Sequence, residues 1–213
     1  LYIHPDTFPE DLIALVQERK NILPYFDIPF QHADSRILRS MGRTGDREIY
    51  TALVNRIRTA LPDAVIRTTL MLGYPGEDRA AFDELLRFVK DARFDWMGSF
   101  LYSREEDTPA YDMRGEEEHE KAHKIAARWQ KELEKAQERI TEERLGRFVG
   151  NEYTALIEDR IEGEDLAIGR IYSEAPDVDG LTVIMGRGME PGDRVRVGIT
   201  KVRGIDLEGV RIG

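Results

Sequence analysis

The chain has 213 residues, 41% of them hydrophobic and 34% charged, enough for one medium domain plus a small one with a buried core. It contains no cysteine, which excludes disulfides, a cysteine nucleophile and any thiolate-held metal or iron–sulfur cluster within these residues. The net charge of −10 divides evenly, with 23 Lys/Arg against 28 Asp/Glu in residues 1–150 and 8 against 13 in 151–213, so neither part has the basic excess of a domain that grips phosphates.

Leu1-Tyr-Ile3 reads as the tail of a strand already in progress. Pro9 begins a helix with Leu12, Ile13 and Val16 on one face. Tyr25 to Phe30 is the next strand, followed by the polar loop Gln31-His-Ala-Asp-Ser35. Asp46 is an N-cap for a helix carrying Ile49, Leu53, Ile57 and Ala60. Val65 to Leu72 is a third strand that runs through the loop Gly73-Tyr-Pro-Gly-Glu77 into a helix capped by Asp78. Gly73 and Gly76 can take φ > 0 and let a ligand reach bare backbone, while Pro75 stiffens the turn. In that helix Phe82, Leu85, Leu86 and Val89 recur at helical spacing. Trp96 to Tyr102 is a fourth strand, ending in the loop Ser103 to Ala110. A long charge-rich helix from about Glu116 to Phe148 carries Ile125, Trp129, Leu133, Ala136 and Ile140 as its apolar stripe.

Beyond Gly150 the pattern shifts to short alternating runs at 152–158, 167–172, 180–185, 193–200 and 206–212. The fold class is therefore α/β: repeated βα units forming a parallel sheet over residues 1–150, then a small closed β-barrel of the OB type over 151–213. No apolar run approaches the roughly 20 residues of a membrane span and no signal-peptide pattern opens the chain, which reads as cytoplasmic.

In βα units functional groups gather at the carboxyl ends of strands. Three such ends stand out: Gln31-His32, the segment from Arg67 and Thr69 through Gly73–Glu77, and Tyr102-Ser103. Each has a bland alternative. Gly73–Glu77 reads equally as a plain βα turn, His32 as a bond to loop backbone, Tyr102 as core packing and Gln31 as a cap on a strand end. The four histidines are read as scattered, with no metal site expected. No P-loop, G-x-G-x-x-G or G-x-S-x-G occurs, so composition and spacing alone stop at a βα ligand-binding domain with a β-barrel.

Motifs carry the reading further. Leu23-Pro-Tyr-Phe-Asp-Ile-Pro-Phe-Gln-His32, Asp34-Ser-Arg-Ile-Leu38, Met41-Gly-Arg43, Ile66-Arg-Thr-Thr69, Gly73–Glu77, Phe94-Asp95, Tyr102-Ser103 and Thr108-Pro-Ala110 together resemble the radical S-adenosylmethionine methylthiotransferases. Ala167-Ile-Gly-Arg170 and Glu174–Gly180 resemble that family's TRAM domain. The resemblance implies the carboxyl-terminal portion of a partial TIM-type barrel, then the TRAM barrel. Two branches compete: one methylthiolates the β-carbon of an aspartate in a small-subunit ribosomal protein, the other an adenosine in transfer RNA. Ile28-Pro-Phe-Gln-His-Ala33 and Arg67-Thr-Thr69 favour the first, as does the acidic tail, which is poorly suited to strong nucleic-acid binding. A non-catalytic ribosome- or RNA-binding module is the alternative of another class.

By this resemblance S-adenosylmethionine is the cofactor. Gln31 and Arg67 would meet its methionine or ribose part, beside Thr69. Met71 and Leu72 would pack on the adenine, the Gly73, Gly76 and Glu77 backbone would lie alongside, and Tyr102 would close the far side. The family also uses two [4Fe–4S] clusters held by cysteines that this chain lacks. The expectation is therefore a fragment whose missing amino-terminal half carries every cluster ligand, inactive alone and docking the ribosomal protein through its TRAM domain.

Overall fold

The structure, a computed structural model, describes residues 2–213; Leu1, expected in the opening strand, lies outside them. The chain divides into two compact units, one ending at Gln137 and one running from Glu138 to Gly213.

In the first unit a short helix, α1 (Leu12–Glu18), precedes β1 (Tyr25–Asp27). The helices α2 (Ser35–Ser40) and α3 (Arg47–Ala60) follow, then β2 (Val65–Leu72), α4 (Arg79–Ala92), β3 (Trp96–Leu101) and the long α5 (Glu116–Leu145), whose last turns belong to the second unit. The strands form a parallel sheet in the order β1-β2-β3, and Tyr2 adds a parallel bridge to Asp27 outside β1. The opening segment thus does pair as a strand end. β1 is shorter than the expected Tyr25–Phe30 because Pro29 has no amide hydrogen to give the ladder. Even so, Ile28 and Gln31 still donate to the Arg67 and Thr69 carbonyls, at 2.9 and 3.0 Å.

β2 spans its expected residues, and the Asp46 and Asp78 carboxylates cap α3 and α4 by accepting from Ile49 and Ala81 amides at 2.8 and 2.9 Å. Behind the sheet Phe30, Tyr50, Phe88 and Phe94 pack ring on ring, with centroids 4.7–5.7 Å apart around Phe30. Two expected core residues are corrected. Ile49 is 56% exposed and Ile125 is 46% exposed. Residues every four along a helix drift about 40° per step, so the buried faces centre instead on Tyr50, Leu53, Val54 and Ile57, and on Ala126 and Leu133. The unexpected α2 forms because the Asp34 carboxylate caps it, accepting from the Arg36 and Ile37 amides.

The second unit holds β4 (Glu152–Arg160), β5 (Leu166–Arg170), β6 (Thr182–Met185), β7 (Arg194–Arg203) and β8 (Asp206–Arg211), closed as β4-β5-β6-β8-β7. All pairs are antiparallel except β6–β8. Closure leaves no sheet edge exposed. Ala155, Ile157, Ala167, Ile184, Val197, Ile199 and Leu207 fill the interior. At Gly169 a Cβ would stand 2.5 Å from the Leu156 carbonyl oxygen, so only glycine lets β4 and β5 approach this closely.

Candidate functional site

The carboxyl ends of β1, β2 and β3 bring Gln31, Gly73 and Tyr102 to one end of the parallel sheet. Gln31 sits at φ +66, held by main-chain bonds to Thr69 and Met71, and its side-chain oxygen is buried with no hydrogen-bond partner among the described residues. On β2, Arg67, Thr69 and Met71 alternate with the fully buried Ile66, Thr68, Leu70 and Leu72, so the first three share the face turned away from the helices. Arg67 lies 3.3 Å from the Asp27 carboxylate and 3.4 Å from the Thr69 hydroxyl. Across from Thr69 is Gly98, where a Cβ would come within 3.4 Å of the Arg67 guanidinium. Glycine there keeps the polar face open.

The Gly73–Glu77 turn is heavily braced. Gly73 has φ +81, and a Cβ on it would stand 3.0 Å from that of Ala126 on α5. The Glu77 carboxylate, 1% exposed, accepts from the Gly73 amide and from His32 Nε2 at 3.1 Å. His32 Nδ1 accepts from the Asp34 amide at 3.0 Å, which places the neutral ring's proton on Nε2, facing Glu77. Arg36 donates to the Gly76 carbonyl at 2.7 Å and to Asp78 at 3.0 Å, and the Tyr74 hydroxyl donates to the Ser40 carbonyl. The segments 31–40 and 73–78 are therefore one hydrogen-bonded assembly. His32 serves loop architecture, as its bland reading held.

The structure thus gathers Gln31, Met71, Gly73, Gly76 and Tyr102 at the strand ends, with Thr69 on the same face of β2; Arg67 shares that face but lies deeper, level with Asp27 and with Trp96 at the start of β3. Met71 packs against the cluster that contains Tyr74 and Tyr102, whose rings meet edge-on at 5.3 Å. Burial, then Tyr74, pushes the Tyr102 phenol up, so it stays protonated. Leu72 does not join them. It is 0% exposed and points to the helix side, because neighbours in a strand face opposite ways. Glu77 can offer only its backbone, since its carboxylate is committed to the turn.

Four residues were missed in sequence. Arg114 donates to the Gly73 and Tyr74 carbonyls at 3.2 and 3.4 Å. Arg104 stacks 3.6 Å from the Tyr111 ring centroid and donates to its carbonyl. His119 and His123, four apart on α5, have ring centroids 6.0 Å apart, and His119 lies 5.8 Å from Tyr102. That i, i+4 histidine spacing was a legible signal. Burial, then His123, Arg114 and Arg104, lowers the His119 pKa. Among the described residues no three His, Cys, Asp or Glu side chains are grouped to hold a metal ion, and none of the helices is long and apolar enough to cross a membrane.

The wall fits S-adenosylmethionine. The buried Gln31 oxygen calls for a donor such as an ammonium or ribose hydroxyl, the glycine-opened face admits a flat group, and Met71 and Tyr102 offer apolar packing. The residues present do not fit an iron–sulfur cluster, because no thiolate is available.

Residues 2–89 match the Radical SAM superfamily and residues 149–212 match the TRAM domain. The chain is 40% identical to a ribosomal protein uS12 methylthiotransferase of Treponema denticola, covering 100% of this chain and 49% of that protein. Namesakes from Thermotoga sp. and Desulfosudis oleivorans are 39% and 41% identical, each over 98% of this chain and 47% of their own length. The chain spans about half the length of these curated relatives. Among solved structures, the coproporphyrinogen III oxidase of Escherichia coli aligns at 15% identity and a TM-score of 0.48, over 62% of this chain and 31% of its own.

Proposed function

From the kinship of this whole chain with the carboxyl-terminal part of the radical SAM methylthiotransferases named for uS12, we propose that it is the portion of such an enzyme that forms one wall of the S-adenosylmethionine site and carries the TRAM domain. The intact enzyme would add a methylthio group to the β-carbon of an aspartate in uS12. The single observation that carries this is the likeness, near 40%, along both units at once. The functional boundary is placed near Gly150, with residues 151–213 as the TRAM domain docking the ribosomal protein.

In this reading the cofactor, when bound with its cluster, supplies radical chemistry that side chains cannot. The chain's own residues bind and orient. The Gln31 oxygen and the Arg67–Thr69 pair receive polar groups of the cofactor. Met71 and Tyr102 exclude water from its flat face. Glu77, through His32 and Gly73, keeps the turn beside it rigid. Without cysteine the chain alone is inactive and binds no stoichiometric iron.

Incubating the intact, cluster-loaded enzyme with S-adenosylmethionine, a sulfur source, uS12 and transfer RNA tests the reading by mass spectrometry. A methylthio adduct on a uS12 aspartate is expected. An adduct on transfer RNA adenosine alone would transfer the chain to the other branch, and a cluster-binding, active 213-residue chain would overturn the division of labour.

A further inference from the structure

Beside the cofactor wall lies a group of arginine and histidine side chains that the proposed function has not used. Arg104 follows β3 by three residues, and Arg114 sits on the carbonyls of Gly73 and Tyr74. Arg104 is two residues from Tyr102 and is held by the Tyr111 carbonyl, Arg114 is held beside Tyr74, whose ring meets that of Tyr102 at 5.3 Å, and His119 and then His123 extend the group from α5, with ring centroids 5.8 Å from Tyr102 and 6.0 Å from each other. Neither arginine forms an ion pair with a carboxylate among the described residues, whereas Arg36, Arg47, Arg67 and Arg79 all do. Their hydrogen bonds go instead to backbone carbonyls, which fix the guanidinium planes without neutralising them. Glu120, next to His119 on α5, acts on it in the opposite sense to these arginines. Glu105, nearby in sequence, accepts from the Ser103 hydroxyl at 2.6 Å. His119 adds a buried Nδ1 with no hydrogen-bond partner among the described residues. Two arginines fixed on backbone carbonyls, with no ion-pair partner among the described residues and an idle imidazole nitrogen on the neighbouring helix, can receive an incoming anion.

We propose that Arg104 and Arg114 form a carboxylate receptor at the carboxyl ends of β2 and β3 that holds the side chain of the target aspartate. The inference rests on the uS12 reading. It also accounts for selectivity: reaction at a β-carbon leaves the carboxylate unchanged, so a receptor for it can grip the residue throughout. A site built to bind a charged group rejects an isostere lacking the charge, because its own cations are then left unpaired.

The test compares binding of fluorescently labelled uS12 and its target Asp→Asn variant to the intact, cluster-loaded enzyme without reductant. Wild-type enzyme should hold the Asn form roughly tenfold more weakly, the usual worth of a charge-assisted bond. In an Arg104→Gln/Arg114→Gln enzyme both forms should bind alike. An Asp/Asn ratio that survives the double substitution overturns the proposal. Equilibrium dialysis with S-adenosylmethionine separates the other source of a carboxylate: its affinity should be unchanged. Lost cofactor binding with a preserved Asp/Asn ratio would assign the arginines to the cofactor and overturn the proposal too. Should the double variant fail to fold, Arg104→Gln alone, whose side chain meets Tyr111, should narrow the ratio, and an unaltered ratio there counts against the receptor. A wild-type enzyme that binds transfer RNA and ignores uS12 would instead sink the functional reading itself.

Discussion

Glu77→Ala is expected to destabilise the first unit by about 2–4 kcal/mol, because it strips two buried donors of their acceptor at once. The Gly73 amide and His32 Nε2 both point at this carboxylate, and neither is reached by water: His32 and Glu77 side chains are 0% and 1% exposed. The turn would then lose its φ +81 anchor at Gly73, and with it the backbone laid beside the cofactor. Urea unfolding followed by tryptophan fluorescence reports on this unit, since both tryptophans, Trp96 and Trp129, lie in it. A shift under 1 kcal/mol would show that the turn holds itself.

The second large effect is a pH dependence of the β-barrel. Glu174 is 2% exposed and accepts from the Ile171 amide and the Thr182 hydroxyl. Burial pushes its carboxyl up to about 8, with Asp206 and Asp179 acting the same way, while those hydrogen bonds pull down. The folded pKa thus lies above the unfolded one. The protonated form stabilises the fold fully below about pH 4.5, and that stability is lost as pH rises towards 8. At 1.36 kcal/mol per unit the loss is on the order of 4–5 kcal/mol. Glu174→Gln keeps an oxygen to accept from the Ile171 amide and removes the charge, and the Thr182 hydroxyl can turn to accept from the new amide nitrogen. In calorimetry its barrel should melt at a nearly constant temperature between pH 5 and 8 while that of the wild type falls. Parallel curves would show that Glu174 titrates as an ordinary surface carboxylate.

Much of this architecture is legible in the chain, for local reasons. Val65–Leu72 reads as a strand because its β-branched run is bounded by Ala64 and Gly73, and Asp46 and Asp78 read as caps because their side chains do what caps do. The five barrel strands show as short alternating runs between turn residues, most cleanly at Arg194–Ile199. What the chain hid is set by tertiary geometry. Stepping every fourth residue put Ile49 and Ile125 in a stripe whose true centre lies a fraction of a turn away. Leu72 was placed on the cofactor beside Met71, although adjacent strand residues cannot face the same way. His32, Arg36 and Glu77 looked like candidate ligand contacts or plain motif letters; the fold uses them to clamp segments about 40 residues apart, a pairing no local pattern records. Asp95 is similar, accepting from the Ile66 amide at 2.9 Å to join the start of β3 to β2. The i, i+4 spacing of His119 and His123 is local and could be read, but their placement beside Tyr102, Arg104 and Arg114 is set only by the packing of α5.

Cofactor affinity of the intact, cluster-loaded enzyme tests the central claim most directly, that this sheet face is one wall of the S-adenosylmethionine site. With alanine at both Arg67 and Tyr102, equilibrium dialysis should show binding weakened at least tenfold, since a polar contact and an apolar cover are removed together. Affinity equal to that of the unsubstituted enzyme would contradict it.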